Sequence, residues 1–243
     1  MSTLAIVTVC RNDRAGLERT LTSLNEQSWQ GFAHHVVDGA SSDGSAELIR
    51  EQGTRFTTWV SEPDDGVYDA QNKGWRSASA EFVLFLNSGD TLSAPDVLER
   101  ALPSLSAAVD IAYGDAYLSD DRGPYATKRH PFPIRSPWLM KEVVAHQSQF
   151  IRRSLLERMG GYDTQYRIAA DYALFAQAFW QGGLRLVKLP FVVGVFDTRG
   201  LSSRTDQVER FAWERKDIQR RFAPRFWYMA YHGWAAFNRM IGR

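Results

Sequence analysis

A single cysteine, Cys10, excludes an intramolecular disulfide and any thiolate metal cage. A chain this poor in thiols suits a reducing compartment. Long apolar runs are missing too, with no stretch of about 18 uninterrupted apolar residues, so no transmembrane helix is expected. The opening Met1-Ser2-Thr3-Leu4 lacks the basic and apolar regions of a secretory signal, and the expectation is a cytoplasmic protein. Neither charge sign is in excess. The 29 Lys and Arg against 28 Asp and Glu leave +1, which gives no global field for nucleic acid, and no such partner is expected. No G-x-G-x-x-G follows the first apolar run, which argues against a dinucleotide-dependent dehydrogenase.

What is present is a globular composition, 44% hydrophobic and 23% charged over 243 residues, enough for one large domain or a domain plus an appendage. Leu4 to Val9 reads as a buried strand, and Leu17, Leu21 and Leu24 follow at helical spacing. His35 to Asp38 gives a second strand, Gly39 to Gly44 a loop, and Ser45 an N-cap to a helix ending near Gly53. Thr57 to Ser61 and Phe82 to Leu86 supply further strands. Strands alternating with helices predict an α/β fold with a mostly parallel sheet, and ligands in such sheets bind beyond the carboxyl ends of the strands. Past Asp115 the regularity weakens, and Asp120 to Pro137 reads as a long loop. A short helix is then expected at Ser154 to Met159 and a longer one at Ala169 to Gln181, each closed by a Gly pair, with a strand at Phe191 to Phe196.

Three polar clusters follow the proposed strands: Asp38 to Asp43, Glu62 to Asp65, and Asn87 to Asp90. A hard cation takes oxygen ligands and keeps waters and substrate phosphates in its shell, so Asp90, just beyond the strongest strand, is a candidate ligand. The same four residues, Asn87-Ser88-Gly89-Asp90, also suit a plain turn. Asp38 to Ser45 offers acceptors and flexible backbone near a helix start that favours anions. Asp65, Asp69 and Lys73, at spacing four, are expected to share a helical face.

In this order the segments resemble the family 2 glycosyltransferases of the GT-A fold. The resemblance rests on Val7-Thr8-Val9-Cys10-Arg11-Asn12, on Val37-Asp38-Gly39 through Ser42-Asp43-Gly44-Ser45, and on Glu62 through Gly74, the most specific string. Phe85 to Asp90, His146-Gln147-Ser148-Gln149-Phe150 and Ile168 to Tyr172 complete it. It spans roughly residues 3 to 203 and is nearest the bacterial subgroup of exopolysaccharide, O-antigen and glycolipid assembly. The resemblance implies a Rossmann-like sheet flanked by helices and an inverting transfer from a nucleoside-diphosphate sugar (UDP, GDP or dTDP) to a glycan or lipid-linked acceptor. It implies a divalent cation, Mn2+ or Mg2+, at Asp90 with help from His146, and Asp171 as catalytic base. Asp38 is implied at the base or ribose, within a donor site that includes Thr8, Cys10, Arg11, Ser41, Asp65, Tyr68, Asn72, Lys73, Asn87, Ser88 and Gly89. The chain departs from the family where two or three carboxylates are usual, having Asn87, Ser88 and Gly89 before Asp90.

Arg199 and Arg204, flanking Gly200-Leu201-Ser202-Ser203, are placed to offset charge on the leaving diphosphate from a closing loop. Two rivals stand beside this reading. A sugar nucleotidyltransferase is disfavoured because Cys10 to Gly16 holds one glycine, whereas such enzymes resemble one another in a Gly-rich phosphate loop. A degenerate sugar-nucleotide-binding module is motivated by Gly89. From residue 204 to 243 a separate extension is expected, with nine basic and four acidic residues interleaved with Trp213, Trp227, Tyr228, Tyr231, Trp234 and Phe237. It reads either as a helical pair packed on the fold or as peripheral membrane contact.

Overall fold

The computed structural model describes residues 2–199 and 207–240, the side chains of 236–240 excepted. In chain order the elements are β1 (Leu4–Cys10), α1 (Arg14–Asn25), β2 (Ala33–Asp38), α2 (Ser45–Glu51), β3 (Thr58–Ser61), α3 (Val67–Ser77), β4 (Phe82–Phe85), β5 (Thr91–Leu92) and α4 (Val97–Ala101). There follow β6 (Ile111–Asp120), β7 (Gly123–Lys128), α5 (Ser136–Leu139), β8 (Gln149–Arg152), α6 (Arg153–Met159), α7 (Ala170–Gln181), β9 (Leu186–Asp197), α8 (Val208–Phe222) and α9 (Arg225–Met240).

Among the described residues one sheet runs β3-β2-β1-β4-β8-β6-β9-β5, with β7 paired to β6. The first four strands are mutually parallel, as predicted. Strand β8 runs against both β4 and β6, so β6 and its parallel neighbour β9 point the same way as β4. The reason β1 is apolar at every position but Thr8 is its place: all seven of its residues are buried, because helices cover both faces of a central parallel strand. Side chains alternate between faces. Val7, Val9, Val83 and Phe85 pack with α3, α6 and α7 in one cluster, whereas Leu4, Ile6, Phe82 and Leu84 pack with α1 and α4 in another. At Gly74 a Cβ would come 2.3 Å from Val7 Cγ1, so α3 lies against β1 only because that position has no side chain.

Several expectations are corrected. Asp120 to Pro137 is not a long loop but begins with the β6–β7 hairpin, turning at Asp120 to Gly123. Strand β7 is largely exposed, so it has no apolar alternation to read. Ser45 is the first helical residue of α2 rather than its cap, and its hydroxyl and N–H both donate to Asp43 Oδ1, at 2.6 and 3.1 Å. Asp65 precedes α3, so only Asp69 and Lys73 share its face; they pair at 3.4 Å. No helix among the described residues is long and apolar enough to cross a membrane.

Helix α8 is tied into the core. Ile218 is fully buried in the same cluster as Phe85 and Phe175, and Phe211 and Phe222 pack against it. Its Gln219 amide donates to the Met140 carbonyl and to the Tyr172 hydroxyl, each at 3.0 Å.

Candidate active site

The carboxyl ends of β1, β2 and β4 share one edge. Because β8 runs antiparallel to β4, the 3-10 turn His146–Ser148 that leads into β8 comes to that edge as well. Beyond β4 the chain turns at Asn87 to Asp90, closed by the Asp90 N–H on the Asn87 carbonyl at 3.0 Å. Thr20 of α1 fixes this turn. Its hydroxyl donates to the Asp90 carbonyl at 2.7 Å and accepts the Gly89 N–H at 3.1 Å.

Asp90 is buried. Its Oδ1 accepts the Asp197 N–H at 3.0 Å, and its Oδ2 lies 3.5 Å from His146 Nε2. Burial pushes its carboxyl above the usual range, opposed by the His146 imidazole. On the far side of the ring, His146 Nδ1 lies 3.5 Å from Oδ2 of Asp171, in the first turn of α7. Asp171 Oδ1 accepts the Tyr172 N–H at 2.7 Å and lies 3.1 Å from the Tyr68 hydroxyl, which also donates to the Ile168 carbonyl at 2.7 Å. Burial alone would raise Asp171, but His146, the Tyr172 N–H and the Tyr68 hydroxyl together hold it below the ordinary carboxylate range. Burial likewise opposes the charge on His146, yet Asp171 and Asp90 outweigh it and raise the imidazole to about 9. Asn87 joins the line: its Nδ2 is 3.1 Å from His146 Nε2 and its Oδ1 accepts from Gln71 at 2.7 Å.

The spacing of Asp90 and His146 is that of two ligands sharing one divalent ion. Two ligands about 2.1–2.2 Å from one ion stand roughly 3.0–3.5 Å apart at the usual angles, and Asp90 Oδ2 and His146 Nε2 are 3.5 Å apart. The opposite nitrogen of His146 faces a carboxylate, the arrangement that orients metal-binding histidines. Among the described residues no three His, Cys, Asp or Glu side chains converge as a ready cage.

Of the other residues singled out in the sequence, some line this edge and some hold the fold. Asp38 is buried at the end of β2, taking the Ser41 N–H at 3.0 Å, the Ser41 hydroxyl at 2.5 Å and the Ser61 hydroxyl at 2.6 Å. It therefore shapes the β2–α2 loop from within. Arg11 is exposed, 3.7 Å from Asp64, and Lys73 pairs with Glu62 at 2.9 Å. Asp65 is exposed. Thr8 is buried against His34 at 3.0 Å, and burial pushes the Cys10 thiol up. Asn72 is buried too, its amide clamping the Tyr162 backbone on both sides and accepting the Trp75 indole N–H at 2.9 Å. Thr8 and Asn72 thus commit their polar atoms to the fold. Ser88 is half-buried, with its N–H on the Val9 carbonyl at 2.9 Å. Arg199 binds Asp197 at 2.7 Å and Asp121 at 2.5 Å. Arg204 and the Gly200 to Ser203 loop lie outside the described residues.

Two acidic residues carry weight that sequence reasoning missed. Asp197, at the end of β9, also pairs with Arg19 at 3.0 Å, and its Oδ2 stands 2.8 Å from where a Cβ on Gly89 would be. Glu214 of α8 is fully buried. It accepts the N–H groups of Arg167, Ile168 and Ala169, each at 2.9 Å, immediately before α7 and Asp171. Three successive free N–H groups at a helix start are an anion site, and here a carboxylate from a distant helix fills it.

With this geometry in view, residues 5–183 match the model "Glycosyl transferase family 2". An uncharacterized glycosyltransferase of Mycobacterium tuberculosis is 35% identical over 230 residues, 90% of this chain and 85% of that one. A PGL/p-HBAD biosynthesis glycosyltransferase of Mycobacterium bovis is 28% identical, over 83% of this chain and 79% of its own. Among solved structures, S. aureus TarS 1-349 in complex with UDP-GlcNAc has a TM-score of 0.68 at 18% identity, covering 90% of this chain and 65% of that one. The mannosyltransferase PcManGT of Pyrobaculum calidifontis, in complex with GDP-Man and Mn2+, has a TM-score of 0.63 at 21% identity, covering 88% and 61%. The chain spans less than two thirds of either solved chain, and at these identities the likeness is one of fold.

Proposed function

The chain belongs to glycosyl transferase family 2, and from that premise we propose that it is an inverting, metal-dependent transferase that moves a sugar from a nucleoside-diphosphate donor to a hydroxyl of a glycan or lipid-linked acceptor. The observation that carries this reading is the buried line Asp90, His146, Asp171 at the carboxyl edge of the sheet. Asp171 is the base. Held ionised, it takes the acceptor proton as the acceptor oxygen bonds to the anomeric carbon, while the bond from that carbon to the donor phosphate breaks and its electron pair leaves with the nucleoside diphosphate. Tyr68 and the Tyr172 N–H fix one of its oxygens and leave the other toward His146. Asp90 and His146 would hold a divalent ion, Mn2+ or Mg2+, which would supply Lewis-acid stabilisation of the departing diphosphate. Family membership sets aside the nucleotidyltransferase alternative.

The acceptor class draws support from the Mycobacterium bovis relative, whose name places it in PGL/p-HBAD biosynthesis, and the donor from neighbours bound to UDP-GlcNAc and GDP-Man. The test is a thermal-shift screen against UDP, GDP, CDP and dTDP with and without Mn2+, since a ligand of the native state raises its apparent stability. One nucleotide with a metal-dependent shift is expected. In transfer assays with that donor, Asp171→Asn should lose at least about a thousandfold in kcat, within the reach of general-base catalysis, with the nucleotide shift unchanged. Retained transfer would remove Asp171 from the role of base, a nucleotide shift with no transfer by wild type would favour the degenerate binding module, and no shift with any nucleotide would overturn the donor assignment.

A further inference from the structure

Helix α9 has two unlike faces. Trp227, Tyr228, Tyr231 and His232 are half-buried, and His232 Nε2 lies 2.9 Å from Gln219 of α8. On the opposite face stand Phe226, Met229, Ala230, Gly233 and Trp234, whose spacing of three, one, three and one makes a single stripe. All five are exposed, with Phe226 at 70% and Met229 and Trp234 at 60% each. Cations bracket the stripe, with the exposed Arg225 at its start and the Lys141 ammonium 5.7 Å from the Trp234 ring. After Asp217 the sequence has no acidic residue and five arginines, at 220, 221, 225, 239 and 243.

We propose that α9 docks the protein onto an anionic lipid bilayer, with Phe226, Met229 and Trp234 in the boundary between headgroups and acyl chains and Arg225 and Lys141 against lipid phosphates. Two observations select this partner. Aromatic and thioether side chains on one face with cations beside them, and no acidic residue on α9 itself, are the composition of interfacial helices. The stripe is small: at 60–70% exposure of about 200 Å² each, Phe226, Met229 and Trp234 offer on the order of 400 Å² of accessible surface. A stable dimer buries about 800 Å² per partner, whereas shallow insertion into headgroups needs only a few large side chains.

The test is co-sedimentation of the full-length protein with vesicles of phosphatidylcholine and phosphatidylglycerol, compared with phosphatidylcholine alone. Wild type should bind the anionic vesicles preferentially, and added salt should weaken binding. Phe226→Ser with Trp234→Ser should reduce affinity by on the order of a hundredfold, about tenfold for each side chain removed from apolar surroundings. Arg225→Gln with Lys141→Gln should reduce it roughly 25-fold, about fivefold per cation. Both double variants should keep the wild-type melting temperature, which separates lost binding from lost fold. Wild type failing to sediment with anionic vesicles overturns the proposal, as does undiminished binding by the Phe226/Trp234 variant. A wild-type dimer that this variant dissolves also overturns it, in favour of a second copy as the occupant.

Discussion

Glu214→Ala removes the one side chain that accepts the three N–H groups ahead of α7, at 2.9 Å each. Hydrogen bonds to a charged acceptor contribute about 1.5–3 kcal/mol each, and a buried donor left without a partner costs about 1–3 kcal/mol. The three are not additive, because they share one carboxylate whose own burial is unfavourable. Breaking a buried charged network from one side costs about 3–5 kcal/mol, and that is the expected loss. For a chain of this size each kcal/mol lowers Tm by about 2–4 °C, which gives a drop of roughly 6–20 °C. The functional consequence follows from distance along the chain: Asp171 sits two residues after Ala169, and a shift of about 1 Å in a reacting group costs on the order of a hundredfold in rate. Glu214→Ala should therefore lower kcat far more than it raises KM, and Glu214→Asp, which keeps the charge, should recover part of both losses. The readouts are thermal unfolding and steady-state transfer at a temperature where every variant is folded. A Tm within about 2 °C of wild type together with an unchanged kcat would refute the linkage between α8 and the base.

Asp90→Ala should abolish the Mn2+-dependent part of the nucleotide-induced Tm rise while leaving the metal-free protein folded, and an unaltered metal response would move the ligand role elsewhere. Gly89→Ala places a Cβ on a residue at φ +94° and 2.8 Å from Asp197 Oδ2; backbone strain of about 1–2 kcal/mol plus the displaced carboxylate should lower Tm by several degrees, checked by calorimetry. His34 sits buried against Thr8 and Phe56 with its pKa lowered to about 3, first by burial and then by neighbouring His35. The native state then binds fewer protons than the unfolded chain, so the stability it contributes is complete above about pH 6.5 and is lost toward pH 3, at up to about 1.4 kcal/mol per pH unit. Urea titrations between pH 7 and 5 should show that slope, and His34→Gln should flatten it.

The parallel half of the fold was legible because its signals are local. Val7, Val9, Val83 and Phe85 belong to strands so rich in apolar residues only because both faces are covered, and each strand ends in a polar cluster that the sheet then gathers at one edge. Asp90 could be singled out for the same reason, as a carboxylate at a strand end, whereas Asp171, in the first turn of α7, was picked out only by the resemblance to the family. The antiparallel half was legible only in part: β7 carries an exposed, mixed pattern, and of β9 only the stretch beyond Pro190, Phe191 to Phe196, reads as a strand. Glu214 was not legible, because its role depends on α8 lying across the start of α7, a contact between residues 45 to 47 positions apart. Within α8 its neighbours Arg210 and Arg215 make it look like one more charge on a solvated helix.

The departure at Gly89 has a packing cause that spacing alone could not show. In the family pattern a further carboxylate is usual here, yet the space a side chain would need is filled by Asp197, carried in from β9. That carboxylate is not left bare, since Arg19 and Arg199 both hold it. Its backbone N–H in turn fixes Asp90 Oδ1, leaving Oδ2 toward His146. The glycine, the turn and the end of β9 therefore form one unit. Gly89→Asp, a substitution toward the family pattern, should damage the site: it introduces a side chain at positive φ into a position already occupied by like charge. Gly89→Asp combined with Asp197→Gly relieves both the clash and the repulsion, so the double variant should recover metal-dependent nucleotide binding that the single variant lacks. Equal Mn2+ responses in wild type and the Gly89→Asp single variant would show that the space beside Asp90 is not closed in the way the packing implies.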